Sequence, residues 1–380
     1  MVAIDSYAGG DGRLSPLSTP SATRAVLEAH GIGTKYTLGQ NFLVNDDVLK
    51  KIIALAEVGE NDRVLEVGPG IGTLTIALLK HAASVIAIER DPDLPAVLAD
   101  TLHPWREKFA LIEKDALDVT RDDIVAAMVE IGGNTGYPDR ASSAANETAQ
   151  WAVSQSEDCL SESGYPVAPP QEDLQLGLPS KLVANLPYAV AATVVLDYFE
   201  NFPFLDSATI MVQKEVADRM AAAVGTKNYG AYTVKLGLYA EPVGRFAVGP
   251  GNFFPPPRVD SAVIRLNRRV PLMADGAPAS PEVIAAAALM ADAAFTNRRK
   301  TVANSCKTYF SGRGPILLGV ADSSAAEGAP TIALPDGAAT AERLPAIFEA
   351  AAIDPRRRGE TLTQQEFLAL GAALLKVTAA

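Results

Sequence analysis

The four residues Asn185-Leu186-Pro187-Tyr188 set a carboxamide, a stretch of backbone short of one N–H donor and an aromatic ring side by side. An exocyclic aromatic amine is a poor nucleophile because its lone pair is delocalised into the ring. The Asn185 amide oxygen and a carbonyl of the Leu186–Pro187 backbone, each accepting one N–H of such an amine, would bias its nitrogen toward tetrahedral geometry. The lone pair would then be free to attack an electrophilic methyl group in line. Pro187 removes a backbone donor and stiffens the turn, and Tyr188 offers a ring on which an extruded base can stack. No strong general base is required, since the alkylated aminium is acidic enough to lose its proton to water. The competing reading is a plain turn carrying a core tyrosine.

A second constellation lies upstream. Glu66-x-Gly68-x-Gly70-x-Gly72 follows a short apolar run and opens a helical stretch, the context of a ligand-binding turn in which glycine lets backbone approach the ligand. A dinucleotide fingerprint would place glycine at position 73, where Thr73 stands, so the loop suits adenosylmethionine, which has no pyrophosphate, better than NAD. Glu89 stands 21 residues after Gly68, at a strand end where an acid accepts ribose hydroxyls. Asp115 ends the next strand, placed either to bond an adenine amino group or to cap a short helix. Three such features at successive strand ends match the crevice in which open α/β sheets bind ligands.

The elements that must hold these residues alternate. Arg63–Val67, Ser84–Ile88, Phe109–Ile112, Lys181–Ala184, Ser207–Val212 and Val259–Leu266 read as strands, and helical patterns run between them, capped by Asn45 and Thr120 among others. This rhythm predicts a doubly wound α/β fold with a mostly parallel sheet. Past Arg268 the pattern is helical, over Pro281–Phe295, Arg298–Phe310, Ala341–Ala352 and Thr363–Leu375. Residues 1–34 read as a flexible tail, 35–267 as the ligand-binding domain and 268–380 as a smaller helical domain. Residues 132–180 and 312–340 are low-complexity stretches within them.

Composition sets bounds on these readings. The chain has 380 residues and no apolar run long enough to span a bilayer, so no membrane is expected. Two cysteines, Cys159 and Cys306, and three histidines make neither a disulfide framework nor a metal site, which fits a cytoplasmic protein with no metal. The net charge of −12 argues against a polyanionic partner, but its distribution is uneven. Residues 132–180 hold seven acids and one arginine, whereas residues 251–320 hold nine bases and four acids.

The chain resembles the ribosomal RNA adenine dimethyltransferases. The matching segments are Leu38 to Leu43, Glu66 to Gly72, Glu89, Asp115, Asn185 to Tyr188, Gln213 to Val216, Tyr229-Gly230, Phe253 to Val263 and Asn297 to Thr301. The resemblance implies a class I methyltransferase domain with a C-terminal helical domain. It implies methyl transfer from adenosylmethionine to the N6 amines of two adjacent adenosines near the 3′ end of 16S rRNA in the small ribosomal subunit, four transfers in all. Asn41, Leu43, Gly68, Glu89, Asp115 and Asn185 would hold the cofactor. Phe253 would close over the base opposite Tyr188, although without the resemblance Phe253 and Phe254 read as core residues, and which of the two reaches the base stays open. Arg298, Arg299 and Lys300, read as the start of a helix, and Arg258 would contact RNA; the run Arg356 to Arg358 reads equally as a solvated face. A monomer is expected. Two alternatives remain: a large-subunit methyltransferase of the macrolide-resistance type, which usually has Ile at the position of Leu186, and a non-catalytic ribosome-assembly factor.

Overall fold

A computed structural model describes residues 12–32, 41–134, 177–318 and 332–379. The chain divides into two compact units, Met1–Ala217 with Pro242–Arg268, and Asp218–Glu241 with Arg269–Ala380.

The first unit is built on a mixed sheet. In chain order its strands are β2 (Arg63–Val67), β3 (Ser84–Ile88), β4 (Phe109–Ile112), β5 (Lys181–Asn185), β6 (Ser207–Gln213), β7 (Ala240–Val248) and β9 (Ser261–Arg268), ordered β4-β3-β2-β5-β6-β9-β7 in space. The first five are parallel to their neighbours, and β9 runs antiparallel to β6, with Gln213 opposite Ser261. β2 and β3 are almost wholly buried, which is why they read as continuous apolar runs. Strand order reverses between β2 and β5, and ligand crevices form at such a switch point, outside the carboxyl ends of the strands. A separate antiparallel pair joins β1 (Phe42–Leu43) to β8 (Phe253–Phe254), with Leu43 opposite Phe253.

Helices α2 (Asp46–Ala56), α3 (Thr73–Leu79), α4 (Leu94–Thr101), α5 (Arg121–Asn134), α6 (Ala191–Asn201) and α7 (Lys214–Met220) follow the strands. Asn45 caps α2 through its Oδ1, which accepts from Asp47 and Val48, and its amide nitrogen donates to Asn252 Oδ1 at 2.8 Å, tying the helix to the turn before β8. Thr120 and Asp123 cap α5 reciprocally.

Three expectations need correction in this unit. Residues 1–34 are not a tail throughout: Pro20–Ala29 forms α1, capped by Thr19, and Leu17, Val26 and Leu27 are buried in the core. Asp46 Oδ1 accepts from the backbone N–H of Leu14 and Ser15, anchoring the segment. Its few apolar residues escaped notice because they sit among Ser, Thr and Ala. Secondly, α5 extends to Asn134 and Gly177 is again described, so of the 132–180 stretch only 135–176, with Cys159, lies outside the described residues. Thirdly, the last strand runs over Ser261–Arg268 rather than Val259–Leu266, and β7 and the β1–β8 pair, which had no clear pattern of their own, add to the expected strands.

In the second unit, α8 (Ala231–Gly237), α9 (Pro281–Phe295), α10 (Val302–Ser311), α11 (Gly337–Ala350) and α12 (Gln364–Ala379) surround a core containing Met290, Phe310, Ile347, Phe348, Phe367 and Leu370. The division does not fall at 268 alone. Residues 218–241 belong here because Tyr229 and Val234 are part of this core, and the Tyr229 hydroxyl donates to Leu362 O at 2.8 Å. Arg298, Arg299 and Lys300 do not begin a helix; they form an exposed turn, and α10 starts after them because the Thr301 hydroxyl caps it. The 312–340 stretch also carries structure at both ends, where β10 (Ile316–Leu318) and β11 (Ile332–Leu334) pair antiparallel. Among the described residues no helix is long and apolar enough to cross a membrane.

Candidate active site

The strand ends at the switch point enclose a cavity of about 510 Å3. Its walls include Asn41, Leu43, Gly68, Glu89, Asp115 and Asn185 to Tyr188, residues drawn from five separate parts of the chain.

The glycine loop explains its own composition. Gly68 and Gly70 have φ of +71° and +59°, a region that side-chain-bearing residues rarely occupy. A Cβ on Gly68 would lie 3.4 Å from Pro187 Cδ, and one on Gly70 would lie 3.2 Å from Phe42. The loop therefore nests between the Asn185–Tyr188 turn and β1.

Acids line one side. Glu89 Oε1 accepts from the backbone N–H of Arg90 and Asp91 at 3.0 and 2.9 Å, which aims the carboxylate, while burial pushes its pKa up. Asp115 takes the capping role and also stands on the cavity wall. Its Oδ1 accepts from Leu117 N–H and caps a short helical turn, and it still faces the cavity. Arg90 Nη1 lies 2.8 Å from its Oδ2 and holds the carboxyl below its ordinary range.

Glu66 has no place in the expected cofactor set, yet it also lines the cavity. It is 1% exposed, and among the described residues its Oε2 has no hydrogen-bond partner. Burial pushes its pKa up to about 8, and the nearby Glu89 charge acts in the same direction. A buried, unpartnered carboxylate oxygen beside a glycine cradle is suited to a ligand carrying a hydrogen-bond donor or positive charge. The sequence pattern opens on Glu66, but its place inside β2 rather than at a strand end gave it no ligand role.

The other side is uncharged. Asn185 Nδ2 donates to Asn41 O at 3.3 Å, so its amide oxygen is the atom left to accept from a ligand. Pro187 O already accepts from Val190 and Ala191 at the start of α6, whereas among the described residues no hydrogen bond reaches Leu186 O. Of the two carbonyls left open by sequence, Leu186 is the one available. The Tyr188 hydroxyl shares a hydrogen bond with Ser261, and Gln213, at the end of β6, also lines this side. Gln213 was visible only as part of a matching segment, and Ser261 likewise.

Phe253 is not brought to the cavity. It is 3% exposed and belongs to the same core cluster as Leu43, its partner across the β1–β8 pair. Phe254 is half-buried, with the Arg24 guanidinium 5.2 Å above its ring, and neither phenylalanine is among the residues lining the cavity. Arg258 is exposed on the turn before β9. In the second unit Arg298 is exposed but engaged, donating to Glu360 and to Thr226 O, and Arg299 and Lys300 are exposed. Arg356 and Arg357 pair with Asp354 and Glu366, which favours the solvated-face reading of that run. Among the described residues no His, Cys, Asp and Glu group could hold a metal.

Parallel strands in this order, with an antiparallel strand inserted beside β6 and a ligand cavity at the switch point, define a class I methyltransferase domain. The fold is shared with a dimethyladenosine transferase from Plasmodium falciparum, 20% identical over 88% of this chain and 98% of that chain, with a TM-score of 0.55. It is shared also with the 23S rRNA methyltransferase ErmE, 20% identical over 88% of this chain and 99% of that chain, with a TM-score of 0.50. Residues 33–328 match the model of the family described as ribosomal RNA adenine dimethylase, and the chain belongs to that family. Relatives named ribosomal RNA small subunit methyltransferase A are 32% identical: one from Geobacillus sp. strain WCH70 over 95% of this chain and 98% of that protein, and one from Staphylococcus aureus strain Newman over 93% and 94%. The protein is an adenosylmethionine-dependent ribosomal RNA methyltransferase.

Proposed function

We propose that this protein methylates the N6 amines of two adjacent adenosines near the 3′ end of 16S rRNA within the small ribosomal subunit, giving dimethyladenosines. The relatives named for the small subunit support the choice of substrate. The observation that carries the chemistry is the pair of uncommitted acceptors at the switch point, Asn185 Oδ1 and Leu186 O.

Those two acceptors would each take one N–H of the incoming amine, drawing its lone pair out of the ring. Adenosylmethionine, when bound, supplies an electrophilic methyl group on a sulfonium. The residues present fit it: Gly68 and Gly70 supply the left-handed backbone that carries the loop along the cavity wall, Glu66 offers an unpartnered buried oxygen, and Glu89 and Asp115 lie at the strand ends. Asn41 and Leu43 would close over it from β1. Tyr188 would carry the base on its ring. An acid-lined wall for a cationic ligand and a neutral wall for a neutral amine keep the two substrates in separate places.

Arg258, Arg298, Arg299 and Lys300 are proposed to contact RNA phosphates, which would make binding salt-dependent without specifying sequence. Of these, Arg299 and Lys300 are the readier donors, since Arg298 is engaged by Glu360. Action on ribosomal subunits implies a cytoplasmic site of action, and one cavity assembled within one unit of the chain is consistent with a monomer.

The test is methyl transfer from labelled adenosylmethionine to under-methylated small subunits, large subunits and naked RNA, with Asn185→Ala as control. Label on adjacent small-subunit adenosines, lost in the variant, is the expected result. Label on the large subunit would move the protein to the resistance type, and binding without transfer would make it an assembly factor.

A further inference from the structure

Tyr188 meets a second hydroxyl at the far end of its side chain. Its Oη lies 2.6 Å from Ser261 Oγ, and Ser261 is fully buried while the half-buried tyrosine lines the cavity. Both members are tied to β6. Leu186 N–H donates to Met211 O at 3.1 Å, Ser261 stands opposite Gln213, and Lys214 N–H donates to Asp260 O at 2.9 Å just ahead of it. One strand thus holds the turn that carries the ring and the strand that carries its tether.

We propose that Ser261 is a positioning residue for methyl transfer, its buried hydroxyl pinning the Tyr188 ring in the plane against which the target base stacks. This inference rests on the function proposed above and deepens it. A tyrosine side chain turns about two torsions, and holding it at its oxygen as well as at its Cα removes the swing of the ring before any base arrives. Such preorganisation lowers the cost of reaching a reactive geometry. The partner is a neutral hydroxyl, with no carboxylate or imidazole in the pair, so the working part of Tyr188 is its ring and the oxygen serves as a tether. Removing either hydroxyl should then have the same consequence, since each deletes the same bond.

A double-mutant cycle tests this on the full-length protein, using Ser261→Ala, Tyr188→Phe and the double variant, with Asn185→Ala as the inactive control. Transfer to under-methylated small subunits, adenosylmethionine Kd and Tm are measured for each. Each single variant is expected to lower kcat about three- to tenfold, the scale of one lost hydrogen bond, with adenosylmethionine Kd unchanged within about twofold. The double variant is expected to be no slower than the slower single variant, and Ser261→Thr, which keeps the hydroxyl, to recover rate. Wild-type kcat in Ser261→Ala would overturn the proposal, as would losses that multiply in the double variant. A parallel loss of cofactor affinity and Tm would overturn it too, by showing general loosening. If wild type and Asn185→Ala are alike inactive on every RNA, the proposed function falls and this inference with it. An active wild type, an inactive Asn185→Ala and an unaffected Ser261→Ala would remove the inference alone.

Discussion

The two sides of the cavity solve different problems. On the side of β2, β3 and β4, the functional groups are carboxyl groups held by backbone N–H groups or by an arginine, or, at Glu66, left with one oxygen unpartnered. On the side of β5, β6 and β9, the groups are an amide, a carbonyl, a phenol and a buried serine, without formal charge. A cationic donor and a neutral amine call for these two environments. The acidic side pays in apo stability for what it offers a ligand, because a buried unpartnered carboxylate is disfavoured until something binds it. On the neutral side the phenol and the serine satisfy each other, and the acceptors left open, Asn185 Oδ1 and Leu186 O, carry no charge.

The largest effect is expected at the boundary. Asn185→Ala should lower methyl transfer about 100- to 1000-fold, the scale seen when one preorganised hydrogen-bonding group is removed from a reaction centre. Adenosylmethionine affinity, measured by calorimetry, should change much less. Equal losses in both would show that the two sides cannot be separated.

Glu66→Gln sharpens the acidic side. Losing a charge-assisted contact should weaken adenosylmethionine binding about 10- to 100-fold. The same substitution should make the apo protein less sensitive to pH. The Glu66 carboxyl, ordinarily near 4.5, is raised to about 8 in the folded protein, so the folded state holds a proton that the unfolded state releases as pH rises. Its contribution is therefore neutral below about 4.5, turns increasingly destabilising between 4.5 and 8, and is level above that. Tm measured across this range should fall more steeply for wild type than for Glu66→Gln; parallel curves would remove Glu66 as the source.

On the neutral side, Tyr188→Ala should reduce transfer about tenfold or more, as loss of a stacking platform does, with little change in Tm. Phe253→Ala should act mainly on the fold, at about 3–5 kcal/mol for a buried phenylalanine, and on rate only through that loss. A variant of Phe253 that stays folded yet loses transfer would restore this residue to the base.

The smallest effect is expected for Arg90→Ala. Its pair with Asp115 is partly exposed, and Asp115 keeps its bond from Leu117, so the KM for adenosylmethionine should shift by less than about fivefold. A larger shift would make Arg90 part of the cofactor wall.

The acidic side was nearly legible in the chain. β2, the glycine loop and α3 are contiguous, so a local pattern of apolar run, glycines and helix carries their geometry, and Glu89 and Asp115 are found by counting to the next strand ends. Glu66 opens that pattern but drew no ligand role from it, because strand periodicity says which residues are buried and nothing about which buried oxygen lacks a partner. The neutral side divides differently. Asn185 to Tyr188 announces itself by residue types alone, but the availability of Leu186 O depends on α6 starting where it does and occupying Pro187 O.

What the sequence determined by itself was the alternation of the parallel strands β2 to β6 with the helices between them, the glycines that permit left-handed backbone, and the four-residue turn that carries the reaction. These follow from properties local to a few residues. Only the tertiary structure decided that Thr19 and Pro20 start a packed helix and that residues 218–241 join the helical unit. It also decided that Ser261 reaches Tyr188 across 73 positions. Which face of a short strand turns inward, and which hydroxyl finds another, depend on partners distant in the chain, and no periodicity within either segment encodes them.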